Sequence, residues 1–156
     1  MASEDLTRVL DEAGVNYELL PHAHTESATD EAKALGVTPE DVAKTLVVRA
    51  PDGYVRAVLP ASERLDLHKV AEACGVQRKQ VELASEDDLG RDYAEFALGA
   101  VPPVGGRKDR VIVDRRVTAR DSVVIEAGTH EESVRLAAAD LVRVSGGEVN
   151  EIALDE

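Results

Sequence analysis

Leu6, Val9, Leu10 and Ala13 recur at helical spacing behind Ser3-Glu4-Asp5 and stop at Gly14, which predicts an amphipathic helix with Ser3 as its N-cap. A short strand is predicted over 16–20. Past Pro21 the polar run from His22 to Ser27 reads as a loop, and a short helix over 28–35 ends at Gly36. Thr38-Pro39-Glu40-Asp41 combines a cap, a first-turn proline and an acid three residues after the cap, so a brief helix starts there. From Lys44 the period drops to two. The β-rich runs 45–48 and 54–59 flank Pro51-Asp52-Gly53, a turn signal, and together predict a hairpin. Asp66 caps a helix through Leu67, Val70, Ala71 and Ala73 that ends at Gly75; 81–84 reads as a strand, and Ser85-Glu86-Asp87-Asp88 opens another short helix with a capping box. Strand-like alternation returns at 110–114, 122–127 and 133–136, followed by a helical turn at 139–142. No repeat, low-complexity tract or linker interrupts this order. It predicts one domain over 1–156 of the mixed α/β (α+β) class, a curved mixed sheet or barrel flanked by short helices.

With 156 residues and 44% hydrophobic composition, the chain can bury about 70% of the surface its unfolded form exposes, so a core needs no covalent staples. Three Tyr and one Phe are too few for a base-stacking platform, which leaves Val, Ala and Leu to build the interior. The single Cys74 excludes an internal disulfide and a Cys-rich zinc module and fits a reducing, cytoplasmic setting. Met1-Ala2-Ser3-Glu4-Asp5 lacks the features of a signal peptide, and no apolar run approaches the roughly 18 residues of a membrane span, so no membrane role is expected.

Charge alters the picture locally. The net charge of −13 repels polyanions, yet Arg107, Lys108, Arg110, Arg115, Arg116 and Arg120 face only Asp109 and Asp114 in their segment, a local +4 against −17 elsewhere. Screening confines charges to about 8–10 Å, so such a patch can bind phosphates at close range; solvated faces of two strands and their turn would give the same pattern. Lys44 is the first candidate for chemistry, because on a strand it shares a face with Leu46 and Val48 and either snorkels into water or serves a pocket. Gly99-Ala100-Val101-Pro102-Pro103-Val104-Gly105-Gly106 is the second. Its stiff prolines and permissive glycines can hold N–H groups toward an oxyanion, or simply make a tight connection. Cys74 reads as a small buried hydrophobe. His22 and His24 form a pair without a third metal ligand, and neither His68 nor His130 has a visible orienting partner. No Ser/His/Asp or Cys/His arrangement can be assembled.

Four segments together resemble the YbaK/ProX family: Val42-Ala43-Lys44-Thr45-Leu46-Val47-Val48, Leu65-Asp66-Leu67-His68-Lys69-Val70-Ala71, Gly99-Ala100-Val101-Pro102-Pro103-Val104-Gly105, and Ser133-Val134-Arg135-Leu136 leading to Ala139-Asp140-Leu141. These are free-standing editing domains that hydrolyse mischarged aminoacyl-tRNA, related to the insertion domain of bacterial prolyl-tRNA synthetases. The resemblance covers nearly the whole chain and is nearest the Cys-tRNA(Pro) deacylase branch. It implies the family's fold, a mixed barrel-like sheet with helices around it, and hydrolysis of an ester in trans with no cofactor and no metal. It also implies that Lys44 anchors the substrate electrostatically and that the loop with Gly99, Ala100, Val101 and Pro103 faces the aminoacyl group, with the Ala100 and Val101 N–H groups on the carbonyl oxygen. Asp140, Tyr17 and His22 would then contact substrate, and Arg107, Lys108, Arg110, Arg115 and Arg116 the tRNA. The attacking group would be water or, for a cysteinyl substrate, its own thiol. Mischarged tRNA is the implied partner, with prolyl-tRNA synthetase a second. Two rivals stay open: a non-catalytic aminoacyl- or tRNA-binding module, and a small-molecule hydrolase.

Overall fold

The computed structural model describes residues 3–155. Its elements are α1 (Ser3–Glu12), β1 (Tyr17–Pro21), α2 (Ala28–Leu35), β2 (Val42–Ala50), β3 (Gly53–Pro60), α3 (Leu67–Cys74), β4 (Glu82–Leu83), α4 (Glu86–Asp92), β5 (Arg110–Asp114), α5 (Arg115–Thr118), β6 (Ser122–Glu126), β7 (Glu132–Ala137), α6 (Ala138–Ser145) and β8 (Glu148–Asn150). The strands form one eight-stranded mixed sheet in the order β1-β7-β6-β2-β3-β5-β8, with β4 added to β2. No helix among the described residues is long and apolar enough to cross a membrane.

Local chemistry explains most boundaries. Ser27, Asp66 and Ser85 each accept a backbone N–H of the first turn of their helix, and Gly36 and Gly75 end α2 and α3 in the left-handed conformation. Pro39–Asp41 makes a single 3-10 turn instead of an α-helix. The cap expected of Ser3 concerns a side chain outside those described. Two expectations change. Asp114 caps the unpredicted four-residue helix α5, so Arg115 and Arg116 sit on a helix rather than in a turn between strands. β8 was not predicted, and it exists by parallel pairing to β5.

β2 is the axis of the sheet. Along its whole length one edge pairs antiparallel with β3, from Ala43 opposite Pro60 to Ala50 opposite Gly53. Its other edge is shared. Val42 and Ala43 pair with β6, Val48 and Arg49 pair with β4, and the residues between them are left to line a gap. The largest apolar cluster gathers Leu6, Leu10, Val58, Val113, Ile125, Leu136 and Leu141 beneath α1 and α6, and another packs Val70, Ala71 and Ile112 between α3 and the sheet.

Arg56 breaks the apolar pattern of β3 and is 0% exposed. Its Nε pairs with Asp109 Oδ1 at 2.9 Å, and its terminal nitrogens donate to Pro102 O at 2.8 Å, Gly105 O at 2.6 Å and Arg107 O at 3.2 Å. Its guanidinium lies 5.1 Å from the Tyr93 ring centroid, and the Tyr93 hydroxyl donates to the other oxygen of Asp109. Burial first, then that bond to Asp109, pushes the Tyr93 phenol well above its usual range. A single guanidinium thus holds the connection after Pro102 by three carbonyls at once.

Candidate active site

The gap on β2 opens into a cavity of about 270 Å³. Lys44, Thr45, Leu46 and Val47 form its floor, Leu83, Ala84 and Leu89 one wall, Ser27 and Ala28 another, and Gly99, Val101 and Glu126 the remainder. Lys44 is half-buried in it. Among the described residues no carboxylate pairs with its ammonium and no hydrogen bond is made to it. Burial lowers its pKa and the Arg64 charge lowers it further, with Glu126 and Glu63 acting against both. The result is a lysine in a largely apolar recess without a counter-ion.

The Gly99 loop reaches the cavity through contacts absent from local sequence. Gly99 sits at φ 81°, and a Cβ there would come within 3.5 Å of His130. His130 Nε2 lies 2.6 Å from Leu98 O, Ala97 N–H donates to Gly128 O at 2.9 Å, and Thr25 N–H donates to His130 O at 3.0 Å. The turn at 128–131 therefore clamps the loop and the segment after β1 together. Sequence reading found no partner for His130. Ala100 corrects an expectation, since its N–H donates to Ala97 O at 3.0 Å and is spent on the turn. Gly99 and Val101 line the cavity, and neither of their N–H groups is engaged within the described residues. They replace Ala100 as the available donors.

Behind the cavity lies a polar group that sequence reading missed apart from His22. Ser133 Oγ bridges a hydrogen bond to Glu31 and a 2.8 Å contact to His22 Nε2, whose Nδ1 lies 2.7 Å from Ala23 O. Glu31 is buried on α2, and desolvation pushes its carboxyl up despite Ser133, His22 and His130. Glu126, at the end of β6, is pushed well above the usual range by burial, then by Glu31, with Lys44 opposing. The sign follows from the direction of the shift. A carboxyl whose folded pKa is raised stabilises the fold below its unfolded pKa of about 4.3, and that contribution is lost as pH rises through the folded value. Glu31→Gln should accordingly raise the melting temperature at pH 8 by more than at pH 4, by about 2–4 °C for each kcal/mol relieved. Equal shifts at the two pH values in thermal melts would mean that Glu31 is not held protonated by its site.

Three residues expected at the site stand elsewhere. Pro103 is buried beside a different cavity, with Val9, Val111 and Val144. Tyr17 packs on the large core cluster and donates to Asp11 Oδ1 at 3.0 Å, and Asp140 pairs with Arg143 at 3.1 Å on α6. None of the three lines the Lys44 recess. Asp140 does not cap α6 either, because Ala137 holds that position. The basic segment is largely neutralised: Arg110 pairs with Glu148 at 2.8 Å, Arg115 with Glu151 at 3.0 Å, Arg116 with Asp114 at 3.4 Å, and Arg120 with Asp41. Arg107 lies 5.0 Å from the Tyr54 ring centroid, and Lys108 has no ion pair among the described residues. Arg107, Lys108 and Arg110 line a second cavity with Tyr54 and Cys74, where burial raises the thiol pKa.

Residues 22–144, which hold the whole Lys44 recess, match the model of the aminoacyl-tRNA editing domain. The chain is 29% identical over 154 residues to EbsC of Enterococcus faecalis, assigned as a Cys-tRNA(Pro)/Cys-tRNA(Cys) deacylase, covering 96% of this chain and 92% of that protein. It is 26% identical over 150 residues to a proline–tRNA ligase of Thermosipho melanesiensis, covering 90% of this chain but 26% of the ligase. A crystal structure assigned as a trans-editing enzyme for prolyl-tRNA synthetase superposes with a TM-score of 0.88 over 99% of this chain and 98% of its own, at 22% identity, which speaks to the fold.

Proposed function

The chain belongs to the aminoacyl-tRNA editing domain family, and we propose on that footing that it is a deacylase, hydrolysing the ester between a wrongly attached amino acid and the terminal adenosine of tRNA. One observation carries the reading of the site: Lys44 lies half-buried in a largely apolar recess, and no carboxylate of the described residues is in ion-pair contact with it. Desolvating an ammonium is costly, so the arrangement suits a ligand that brings negative charge. An aminoacyl ester brings it twice, in the nearby phosphates and in the oxygen that turns anionic when the carbonyl is attacked. Water, or the thiol of a cysteinyl group, adds to the carbonyl carbon. The carbonyl oxygen takes the charge beside Lys44 and the Gly99 and Val101 N–H groups, the C–O bond to the ribose breaks, and the ribose oxygen takes the proton. Because the ester is already activated, placement and electrostatics suffice without a protein nucleophile.

The recess is small for a ligand site, which favours a cysteinyl or similarly small aminoacyl group, in line with the assignment of the Enterococcus relative. The relation to a segment of a proline–tRNA ligase supports tRNA(Pro) as the carrier and that ligase as the partner that delivers it. The Arg107 and Lys108 end of the basic segment, where charge is least neutralised, is the side we assign to the acceptor stem. Incubating the protein with tRNAs mischarged with cysteine, alanine and serine, beside correctly charged prolyl-tRNA, tests the function. The expected result is selective loss of a small mischarged residue. No loss above the spontaneous rate would make the protein a binding module, and equal hydrolysis of free amino acid esters would make it a small-molecule hydrolase.

A further inference from the structure

The Lys44 recess contains a second ionisable group that the reaction described above does not use. Glu126 is 8% exposed and contributes to the recess, yet no donor in the described residues satisfies its carboxyl; Oε2 is enclosed, which leaves Oε1 as the oxygen open to a ligand. Lys44 does not pair with it. Its acidic neighbour Glu31 is committed through one oxygen to Ser133. A buried carboxyl without a partner costs free energy comparable to a lost hydrogen bond, and such groups concentrate where a ligand supplies the missing half.

An aminoacyl ester supplies that half. Its carbonyl carbon is separated from an α-ammonium by one carbon, so the ammonium must enter the same small recess as the oxygen assigned to Lys44. Two cations side by side repel, and the ammonium therefore has to settle away from Lys44 against an acceptor. Glu126 is the carboxylate of the recess. We infer that Glu126 receives the α-ammonium of the aminoacyl group, and that this contact turns the ester so that its carbonyl oxygen faces Lys44. Burial and Glu31 favour the protonated carboxyl while the recess is empty, and an entering ammonium favours its ionisation. Lys44 and Glu126 would thus recognise the two ends of one short dipolar group, which fits an α-aminoacyl ester and disfavours esters lacking the amine.

The inference rests on the deacylase reading, and the experiment separates the two. A tRNA acylated with the α-hydroxy acid that matches the amino acid presents the same ester with a hydroxyl in place of the α-amine. Wild-type protein should hydrolyse the aminoacyl form with a kcat/KM about 10- to 100-fold above that of the hydroxyacyl form, the discrimination a charge-assisted hydrogen bond provides. Glu126→Gln should bring the ratio toward one, and Glu126→Asp, which keeps the charge, should retain part of it. A purely structural role would slow both esters alike and leave the ratio where it was, which overturns the assignment, as does a wild-type protein indifferent to the amine. Hydrolysis of neither ester by wild-type protein would instead remove the deacylase reading, and the inference with it.

Discussion

Lys44→Ala should reduce deacylation of a mischarged tRNA by at least the 10²- to 10³-fold typical of losing one oxyanion donor, while the protein melts within a few degrees of wild type. The two halves of that result have separate causes. The ammonium serves no structural bond, so truncating it orphans no partner, and shedding a desolvated charge offsets part of the packing lost with the side chain. Turnover depends on it differently, since the oxyanion would then form in an apolar recess with only backbone dipoles to meet it. Single-turnover ester loss at saturating protein, read beside a thermal melt, measures both. Near-normal turnover by a folded Lys44→Ala protein would remove the lysine from the site.

The largest loss of stability should come from Arg56→Met. That change leaves the Asp109 carboxylate, 6% exposed, with only the more distant Arg107 at 3.9 Å as counter-ion, and frees the Pro102, Gly105 and Arg107 carbonyls. Breaking one side of a buried ion pair costs about 3–5 kcal/mol, because the remaining charge is stranded. Denaturant unfolding should register that loss, and Arg56→Met with Asp109→Asn should recover part of it by removing the stranded charge. Deacylation should fall as well, since the carbonyls Arg56 holds anchor the chain that carries Gly99 and Val101. A single mutant within 1 kcal/mol of wild type would show that the network is dispensable.

What sequence could foretell follows from how far each interaction reaches. The caps at Ser27, Asp66 and Ser85 and the hairpin turn at 51–53 join residues within a few positions of each other, and the pattern displays them directly. Lys44 was legible through its motif, although its lack of an ion-pair partner among the described residues was not. Glu31, Glu126, Ser133 and His22 meet across as many as 111 residues, and no local period encodes that meeting. Arg56 did leave a trace: a cation inside Tyr54-Val55-Arg56-Ala57-Val58-Leu59, in a strand flanked by neighbours on both edges, has nowhere to snorkel and must find a buried partner. Tyr17, Pro103 and Asp140 were placed by resemblance alone, and none of the three lines the recess. Asp114 before Arg115-Arg116 was an unread cap signal.

The divided edge of β2 has a consequence for how such a protein can diverge. The side of the recess bearing Glu126 is built from β6, whereas the opposite side is β4 and α4, attached through two ladder positions, one N–H to Val47 O, the Arg49 links to Glu82 and Asp88, and the Tyr54 hydroxyl bond to Asp92. Substitutions at Leu83, Ala84 or Leu89 can therefore reshape the space offered to an amino-acid side chain while the strands carrying Lys44 and Glu126 keep their register. Selection can exchange one rejected amino acid for another on that side of the fold, and leave the ester chemistry on the other side unaltered.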